Sequence, residues 1–570
     1  MEITTNSSEI LTTTQESCNI LVDLLISYGV KHVVVSPGSR NAPIIIGLSA
    51  RNEITKHIIV DERSAAFVAI GMAQELNTPV AIVCTSGSAV LNYAPAIAEA
   101  YYQQLPIIII SADRPMEWID QNDSQTIIQN DILNNIVKTS YNIPAECISP
   151  SMQWYCNRTI NEALQHATAL PQGPVHINLQ LNEPLYERKS LEYCPPKTIT
   201  RFTPELDKNN FIHYAEKINS CKKVLILASM HKKCDELNIT LNNLSGGNIV
   251  VLSEIIANNH GGKIFYNIDR LLTEISNDDW EQLKPDILIT YGGAPVSRLA
   301  KTLLRKCKGI EHWRIGTEKV IIDTMQNLTQ IIEVSPDKFF GIIGKQIITN
   351  GEYFNVWEAI SIKAESTHNA YINNSPWSDL KAMDIIMTNM PQEKNNLQIS
   401  NGSAIRYADI LGNPKEFQGT YHCNRGVSGI DGSTSTALGA SMVSNDTTLL
   451  ITGDMSFSYD LSGLASQYNS DKFKIIVLCN GGGGIFRFIN GPSNLPEFEQ
   501  YFEVHRDIPV DKYATAFGFD YFEANDEQSL KQSLDLFHKN NKASILAVYT
   551  DNKTSADTLK GYFSRNTNKN

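Results

Sequence analysis

The sequence predicts an α/β protein made of three parallel-sheet α/β domains in series. Three observations lead there. Short apolar runs of strand length alternate with helix-like stretches along the chain, the pattern of parallel sheets covered by helices on both faces. At 570 residues the chain is too long for one hydrophobic core. Two interruptions divide the alternation: a polar stretch with a Pro-Pro pair over residues 187–204, and a polar, helix-like segment over about 351–379. The expected domains are residues 1–190, 205–350 and 375–570.

In the first domain, residues 32–36 (HVVVS), 56–60 (KHIIV), 80–84 (VAIVC) and 106–111 (PIIIIS) have the length and apolarity of buried strands, with helix-like stretches at 62–76 and 89–104. The central domain offers strands at 223–228, 248–252 and 286–290 and a turn at Gly292-Gly293. In the last domain the candidates are 397–400, 419–423, 448–452, 474–479 and 543–549. There is no short-period repeat and no low-complexity tract.

Composition narrows the function. With 42% hydrophobic and 19% charged residues the chain is an ordinary globular protein. Its 48 basic and 61 acidic residues give a net charge of −13, which argues against a nucleic-acid binder but leaves room for a local basic pocket. None of the ten cysteines forms a Cys-x-x-Cys pair, and Cys84 and Cys479 sit in apolar runs, so buried free thiols are expected rather than disulfides or zinc. The first ten residues lack a basic segment followed by an apolar one, and no apolar run approaches the ~18 residues of a membrane span. A cytoplasmic location is expected.

Chemistry concentrates at predicted strand ends, where α/β sheets bind ligands. Thr452-Gly453-Asp454-Met455-Ser456 and Cys479-Asn480-Gly481-Gly482-Gly483-Gly484 both begin there. Asp454 and Asn480 are 26 residues apart, room for one strand-helix-strand crossover, so adjacent strands can deliver both side chains to one point. A carboxylate, an amide oxygen and a backbone carbonyl are hard ligands suited to Mg²⁺, and glycines let the backbone approach a diphosphate. Taken singly, Gly-Asp and Asn-Gly are ordinary turn dipeptides; paired at this spacing they resemble the signature of thiamine-diphosphate (ThDP) enzymes. That resemblance implies Asp454, Asn480 and the Gly482 carbonyl as Mg²⁺ ligands, with Mn²⁺ an alternative, and Gly453, Met455 and Ser456 near the cofactor.

Asp61-Glu62-Arg63 follows the second strand. A helix N-cap with a first-turn Glu accounts for Asp61. In ThDP enzymes a glutamate hydrogen-bonds the cofactor's aminopyrimidine and promotes the imino form that removes the thiazolium C2 proton; Glu62 is the candidate. Ser36-Pro37-Gly38-Ser39-Arg40-Asn41, DERSAAF, Thr85-Ser86-Gly87-Ser88-Ala89, Ser111-Ala112-Asp113-Arg114-Pro115, Asn424-Arg425-Gly426-Val427-Ser428-Gly429-Ile430-Asp431-Gly432 and GGGGIF then follow in order. Together, over residues 36 to about 490, they resemble one branch of that family, the 2-succinyl-5-enolpyruvyl-6-hydroxy-3-cyclohexene-1-carboxylate synthases. TSGSA is widespread among ThDP enzymes; SPGSRN and NRGVSGIDG are distinctive.

The resemblance implies a transferase of menaquinone biosynthesis that decarboxylates 2-oxoglutarate and adds the product to isochorismate, in a homodimer or dimer of dimers. It also implies a pyrimidine-binding first domain and a diphosphate-binding last one. Both substrates are dianions, which calls for several cations around one cavity. Arg40, Arg114, Arg298, Arg406 and Arg425 are the candidates, with Ser39 and Gln125 facing the reacting atoms, Ile485 and Phe486 lining the cavity, and Ser86, Gly87, Ser428, Gly429 and Ile430 against the cofactor. Ile430 matches the residue that bends the cofactor, although a core isoleucine fits the same sequence. The chain departs from the family at Gly402, where a serine is usual; at Leu299, the second of two usual basic residues, with Lys301 nearby; at Ser124, where asparagine is common; and at Cys479. These departures bear on substrate more than on cofactor. Another 2-oxoacid ThDP enzyme, a decarboxylase or acetolactate-type synthase, remains open, as does a non-catalytic nucleotide-binding α/β protein.

Overall fold

The computed structural model describes residues 10–191, 196–202, 206–391, 394–412, 417–489 and 491–565. They contain three all-parallel sheets and one two-stranded antiparallel pair. The described residues of 1–204, with 434–444 and 462–468, form one compact unit, and those of 205–433, 445–461 and 469–570 a second.

The first unit holds a six-stranded sheet in the order Thr55–Ile58, His32–Val35, Val80–Cys84, Ile107–Asp113, Val175–Gln180, Ser140–Ile143. Val80–Cys84 is buried along its whole length, as a strand covered on both faces must be. Helix Glu62–Leu76 has the expected bounds. Asp61 caps it by accepting from the Arg63 and Ser64 amides at 2.9 and 3.3 Å, and Asn77 ends it at φ 52°. The expected helix at 89–104 is two, Ala89–Asn92 and Ala94–Gln103, because Pro95 cannot continue one helix but opens the next. Glycine permits a close crossing of this helix layer: a Cβ on Gly71 would lie 1.9 Å from the Thr436 carbonyl oxygen, and one on Gly439 2.0 Å from that of Val68. The start of the expected 187–204 linker is instead a strand, Arg188–Ser190, paired antiparallel with Leu11–Thr13; part of that linker lies outside the described residues.

The second unit holds two sheets. One has five strands, Ile249–Ser253, Val224–Ala228, Ile287–Tyr291, Glu311–Gly316, Gln330–Glu333. The other has six, Thr420–His422, Asn395–Ile399, Thr447–Gly453, Phe473–Cys479, Ser544–Tyr549, Asp520–Ala524. The polar segment near 351–379 is a 22-residue helix, Tyr353–Asn374. The nine described cysteines, Cys84 and Cys479 included, are free thiols, and Cys194 lies outside the described residues. Among the described residues no helix is long and apolar enough to cross a membrane.

Candidate active site

In the first unit, four neighbouring strands present their carboxyl ends together, and each expected motif sits at one of them. The Ser36 hydroxyl donates to the Ile59 carbonyl at 2.9 Å and the Asn41 amide to the Ser36 carbonyl at 2.9 Å, which folds the SPGSRN loop back on itself and ties it to the segment leading into Glu62. Glu62 opens its helix, and its Oε2 accepts from Asn92 Nδ2 at 3.1 Å. Ser86 is buried. Gly87, at φ 84°, donates its amide to Gln129 Oε1 at 2.7 Å, and a Cβ there would lie 3.3 Å from the Gln125 backbone. Gln125 itself holds φ 55°, uncommon for a side-chain-bearing residue. The fold therefore packs the Gln125 backbone on the Ser86-Gly87 turn.

Gln129, which sequence reasoning missed, belongs to a buried network. Its Nε2 donates to Asn178 Oδ1 at 2.9 Å, and Asn178 Nδ2 donates to Asp113 Oδ2 at 2.8 Å. Asp113 Oδ1 accepts the Arg114 amide at 2.8 Å. Burial raises the Asp113 carboxyl above its ordinary value despite these donors. Arg40 is buried, donates to the Leu181 carbonyl at 3.1 Å and pairs with Glu183 at 3.2 Å. Burial and then the neighbouring Arg114 lower its proton affinity. Arg114 pairs with Asp123 at 2.9 Å. Ser39 is exposed beside Arg40.

In the second unit, Thr447–Gly453 and Phe473–Cys479 are adjacent, with Gly453 opposite Leu478. This register brings Asp454 and Asn480 together. Asp454 Oδ2 accepts the Gly481 amide at 2.8 Å and Oδ1 the Met455 amide at 2.7 Å. Asn480 Oδ1 accepts the Gly482 amide at 3.3 Å, while its Nδ2 donates to Asp379 Oδ2 at 2.8 Å, so Asp379 fixes which way the amide oxygen points. Gly481 and Gly482 hold φ 83° and 156°, and the loop is pinned by the Gly483 amide donating to the Glu503 carbonyl at 2.7 Å. Asp454 is 3% exposed, and burial pushes its carboxyl up to about 7. A buried carboxylate with no cation at ion-pair distance among the described residues, beside an amide oxygen and a glycine-rich loop, fits a divalent cation held jointly with a diphosphate. Among the described residues no group of three or more His, Cys, Asp or Glu side chains is placed to hold a metal.

The Ser456 hydroxyl donates to the Ile430 carbonyl at 2.6 Å, joining this half-site to the loop that carries Ser428 (φ 64°) and Gly429. Ile430 is 42% exposed on that loop and is no core residue. Ile485 and Phe486 begin the short helix Ile485–Phe488, and Phe486 packs edge-on against Phe502.

The unit also gathers cations. A cavity of about 350 Å³ is lined by Arg298, Lys301, Thr302, Arg305 and Arg406. Arg425 reaches the Asn401 Oδ1 at 3.1 Å and the Pro295 carbonyl at 3.4 Å, and Lys301 Nζ donates to that same carbonyl at 3.1 Å. Burial and then Arg425 lower the proton affinity of Arg406. Three buried carboxylates missed from the sequence support these cations. Glu254 accepts the Val296 and Ser297 amides at 2.5 and 2.9 Å, Asp269 accepts the Ser297 hydroxyl, and Asp409 accepts the Ile255 amide at 3.3 Å. Burial pushes Glu254 up to about 7 and raises Asp269 and Asp409. Ser297 in turn caps helix Arg298–Lys306. Gly402 holds φ 97°, a conformation that disfavours the serine usual there.

The parallel sheets and the Asp454–Asn480 half-site define the class. Residues 17–133 match the model "Thiamine pyrophosphate enzyme, N-terminal TPP binding domain" and residues 403–548 the model "Thiamine pyrophosphate enzyme, C-terminal TPP binding domain". In fold the chain is similar to benzoylformate decarboxylase from Polynucleobacter necessarius, with TM-score 0.70 over 94% of this chain and 98% of that one at 17% identity. It is 36% identical over 562 residues to a 2-succinyl-5-enolpyruvyl-6-hydroxy-3-cyclohexene-1-carboxylate synthase of Porphyromonas gingivalis, covering 96% of this chain and 97% of that protein. Identity to a protein of the same name in Flavobacterium psychrophilum is 40%, covering 95% and 97%. The chain belongs to the 2-succinyl-5-enolpyruvyl-6-hydroxy-3-cyclohexene-1-carboxylate synthase family.

Proposed function

We propose that the protein decarboxylates 2-oxoglutarate and joins the remaining succinyl unit to isochorismate by conjugate addition, releasing CO2, as a transferase of menaquinone biosynthesis. Identity to synthases of this name along nearly the whole chain carries the reading. A cavity walled by four cations supports it, since a dicarboxylate needs such a wall and pyruvate does not. Formation of the named product from the two substrates by the purified protein with thiamine diphosphate and Mg²⁺ tests it; no product under those conditions rejects it.

Bound thiamine diphosphate supplies the electron sink for decarboxylation. Asp454, Asn480 and the Gly482 carbonyl hold Mg²⁺ against the diphosphate, with Mn²⁺ as a substitute. Glu62 exchanges a proton with the aminopyrimidine. Ser86, Gly87, Ser428, Gly429, Ile430, Gly453, Met455 and Ser456 contact the cofactor. Ser39, Arg40 and Gln125 face the reacting atoms, while Arg114, Arg298, Arg406 and Arg425 take substrate carboxylates between walls that include Ile485 and Phe486. On this reading residues 1–190, 205–350 and 375–570 are three domains, the first binding the pyrimidine and the last the diphosphate, in a cytoplasmic enzyme. Arg406→Ala and Arg425→Ala should each cost about 2–5 kcal/mol in kcat/KM. Whichever arginine holds the distal carboxylate should affect 2-oxoglutarate more than pyruvate. Equal losses with both oxoacids for every arginine variant reject the clamp.

The active species is proposed to be a homodimer, alone or paired into a dimer of dimers, with each cofactor shared between the Glu62 half-site of one subunit and the Asp454 half-site of its partner. Two-fold symmetry is the commonest oligomer arrangement. Mixing Glu62→Gln with Asp454→Ala, each inactive alone, should restore activity on subunit exchange, because half the sites of a mixed dimer then carry neither lesion. No recovery, with heterodimers confirmed by native mass spectrometry, shows that each site is built from one chain.

A further inference from the structure

Helix Arg298–Lys306 carries more positive charge toward the cavity than the one arginine assigned above. Residues 298, 301, 302 and 305 fall at i, i+3, i+4 and i+7, one stripe of an α-helix, and these four with Arg406 line the cavity. Leu299 and Leu303 take the neighbouring stripe and pack on the apolar core that includes Leu225, Leu288 and Leu304. A cation at 299 would therefore be directed at the core of the central sheet. The charge absent from that position reappears where the helix turns back to the cavity, at Lys301.

We infer that Lys301 and Arg305 are substrate-binding residues, extending the anion site along this helix to hold a carboxylate of one of the two dianionic substrates. This rests on the function proposed above. No acidic side chain lines the cavity, and none of Arg298, Lys301, Arg305 and Arg406 has a carboxylate at ion-pair distance among the described residues. Arg298 and Arg305 are exposed at this cavity of about 350 Å³, while Lys301 and Arg406 lie deeper. There burial and then neighbouring cations lower their proton affinity, and Glu254, Asp269 and Asp409 offset only part of it; a bound dianion relieves the repulsion that remains. Lys301 is held by its bond to the Pro295 carbonyl, which Arg425 also reaches. Arg305 is held through Nε, which donates to the Thr324 carbonyl at 2.9 Å, and its terminal nitrogens have no hydrogen-bond partner among the described residues. The helix start is fixed in turn, since Glu254 takes the Val296 and Ser297 amides and Asp269 takes the Ser297 hydroxyl. A site of this volume suits a small organic acid.

The test uses Lys301→Met and Arg305→Gln, which remove charge with little change of length, beside Lys301→Arg and Arg305→Lys. With each substrate varied in turn, the neutral variants should raise KM for one substrate about tenfold to a hundredfold, with a much smaller change in kcat, and the charged replacements should recover most of the loss. The substrate affected identifies the carboxylate held. Unchanged KM for both substrates, or a fall in kcat alone, overturns the inference. Calorimetric titration with two unreactive anions, glutarate and chorismate, tests the site without turnover. Binding of one should weaken at least about tenfold in Lys301→Met, and no weakening of either overturns the inference even if the parent protein makes no product. Failure of the parent to make product, with anion binding still lost in the variants, would instead reject the functional reading and keep the anion site. Thiamine diphosphate affinity equal to that of the parent excludes misfolding as the cause.

Discussion

Asp454→Ala should abolish Mg²⁺-dependent thiamine diphosphate binding. The side chain is the proposed metal ligand and also accepts the Gly481 and Met455 amides, so its loss removes a charge and two anchors of the glycine loop. Taking one partner from a buried charge pair costs about 3–5 kcal/mol, two to four orders of magnitude in affinity. Loop collapse alone could weaken binding in this variant, so Asp454→Asn is the sharper case. It keeps the shape and one of the two acceptor oxygens, so one backbone amide stays anchored, but not the charge, and it too should lose Mg²⁺-dependent binding. Calorimetry with thiamine diphosphate in the presence of Mg²⁺ reads the effect. Affinity equal to that of the parent in both Asp454→Ala and Asp454→Asn would assign the metal to other ligands.

What the sequence revealed follows from where each signal resides. Val80–Cys84 and Phe473–Cys479 are buried on both faces and read directly as apolar runs. Val175–Gln180 is just as buried, yet its His176, Asn178 and Gln180 are polar, and it escaped notice because its polarity is satisfied inside the sheet: the Ser111 hydroxyl contacts both His176 and Asn178. Edge strands such as Asp520–Ala524 are half exposed and carry charges, so they lack the run altogether.

The site divides in the same way. Glu62, Asp454 and Asn480 stand in motifs fixed by local chain geometry, and spacing made them visible. Glu254, Asp269, Asp379 and Asp409 act on groups far away in the sequence, as when Glu254 takes the amides of residues 296 and 297 or Asp379 orients Asn480. To one sequence each is an acid with no motif around it, and only the folded chain supplies its partners.

Glu62→Gln should leave cofactor binding nearly intact while turnover collapses. Glu62 opens its helix behind the Asp61 cap, and its Oε2 takes the Asn92 amide, an interaction that the glutamine carbonyl can still accept. Backbone and position therefore survive the change. What is lost is a carboxylate able to exchange a proton with the aminopyrimidine, and positioned proton transfer of this kind contributes about 10²–10⁴-fold to rate. Thiamine diphosphate affinity should stay within a few-fold of the parent, since the diphosphate is held by the other half-site in the proposed arrangement. Exchange of the cofactor's C2 proton for deuterium, followed by NMR after acid quench, should slow by about the same factor as turnover. The pairing of the two measurements decides the matter. Slow exchange with normal affinity places Glu62 in cofactor activation, whereas exchange at the parent's rate would remove it from the mechanism, however low the overall activity.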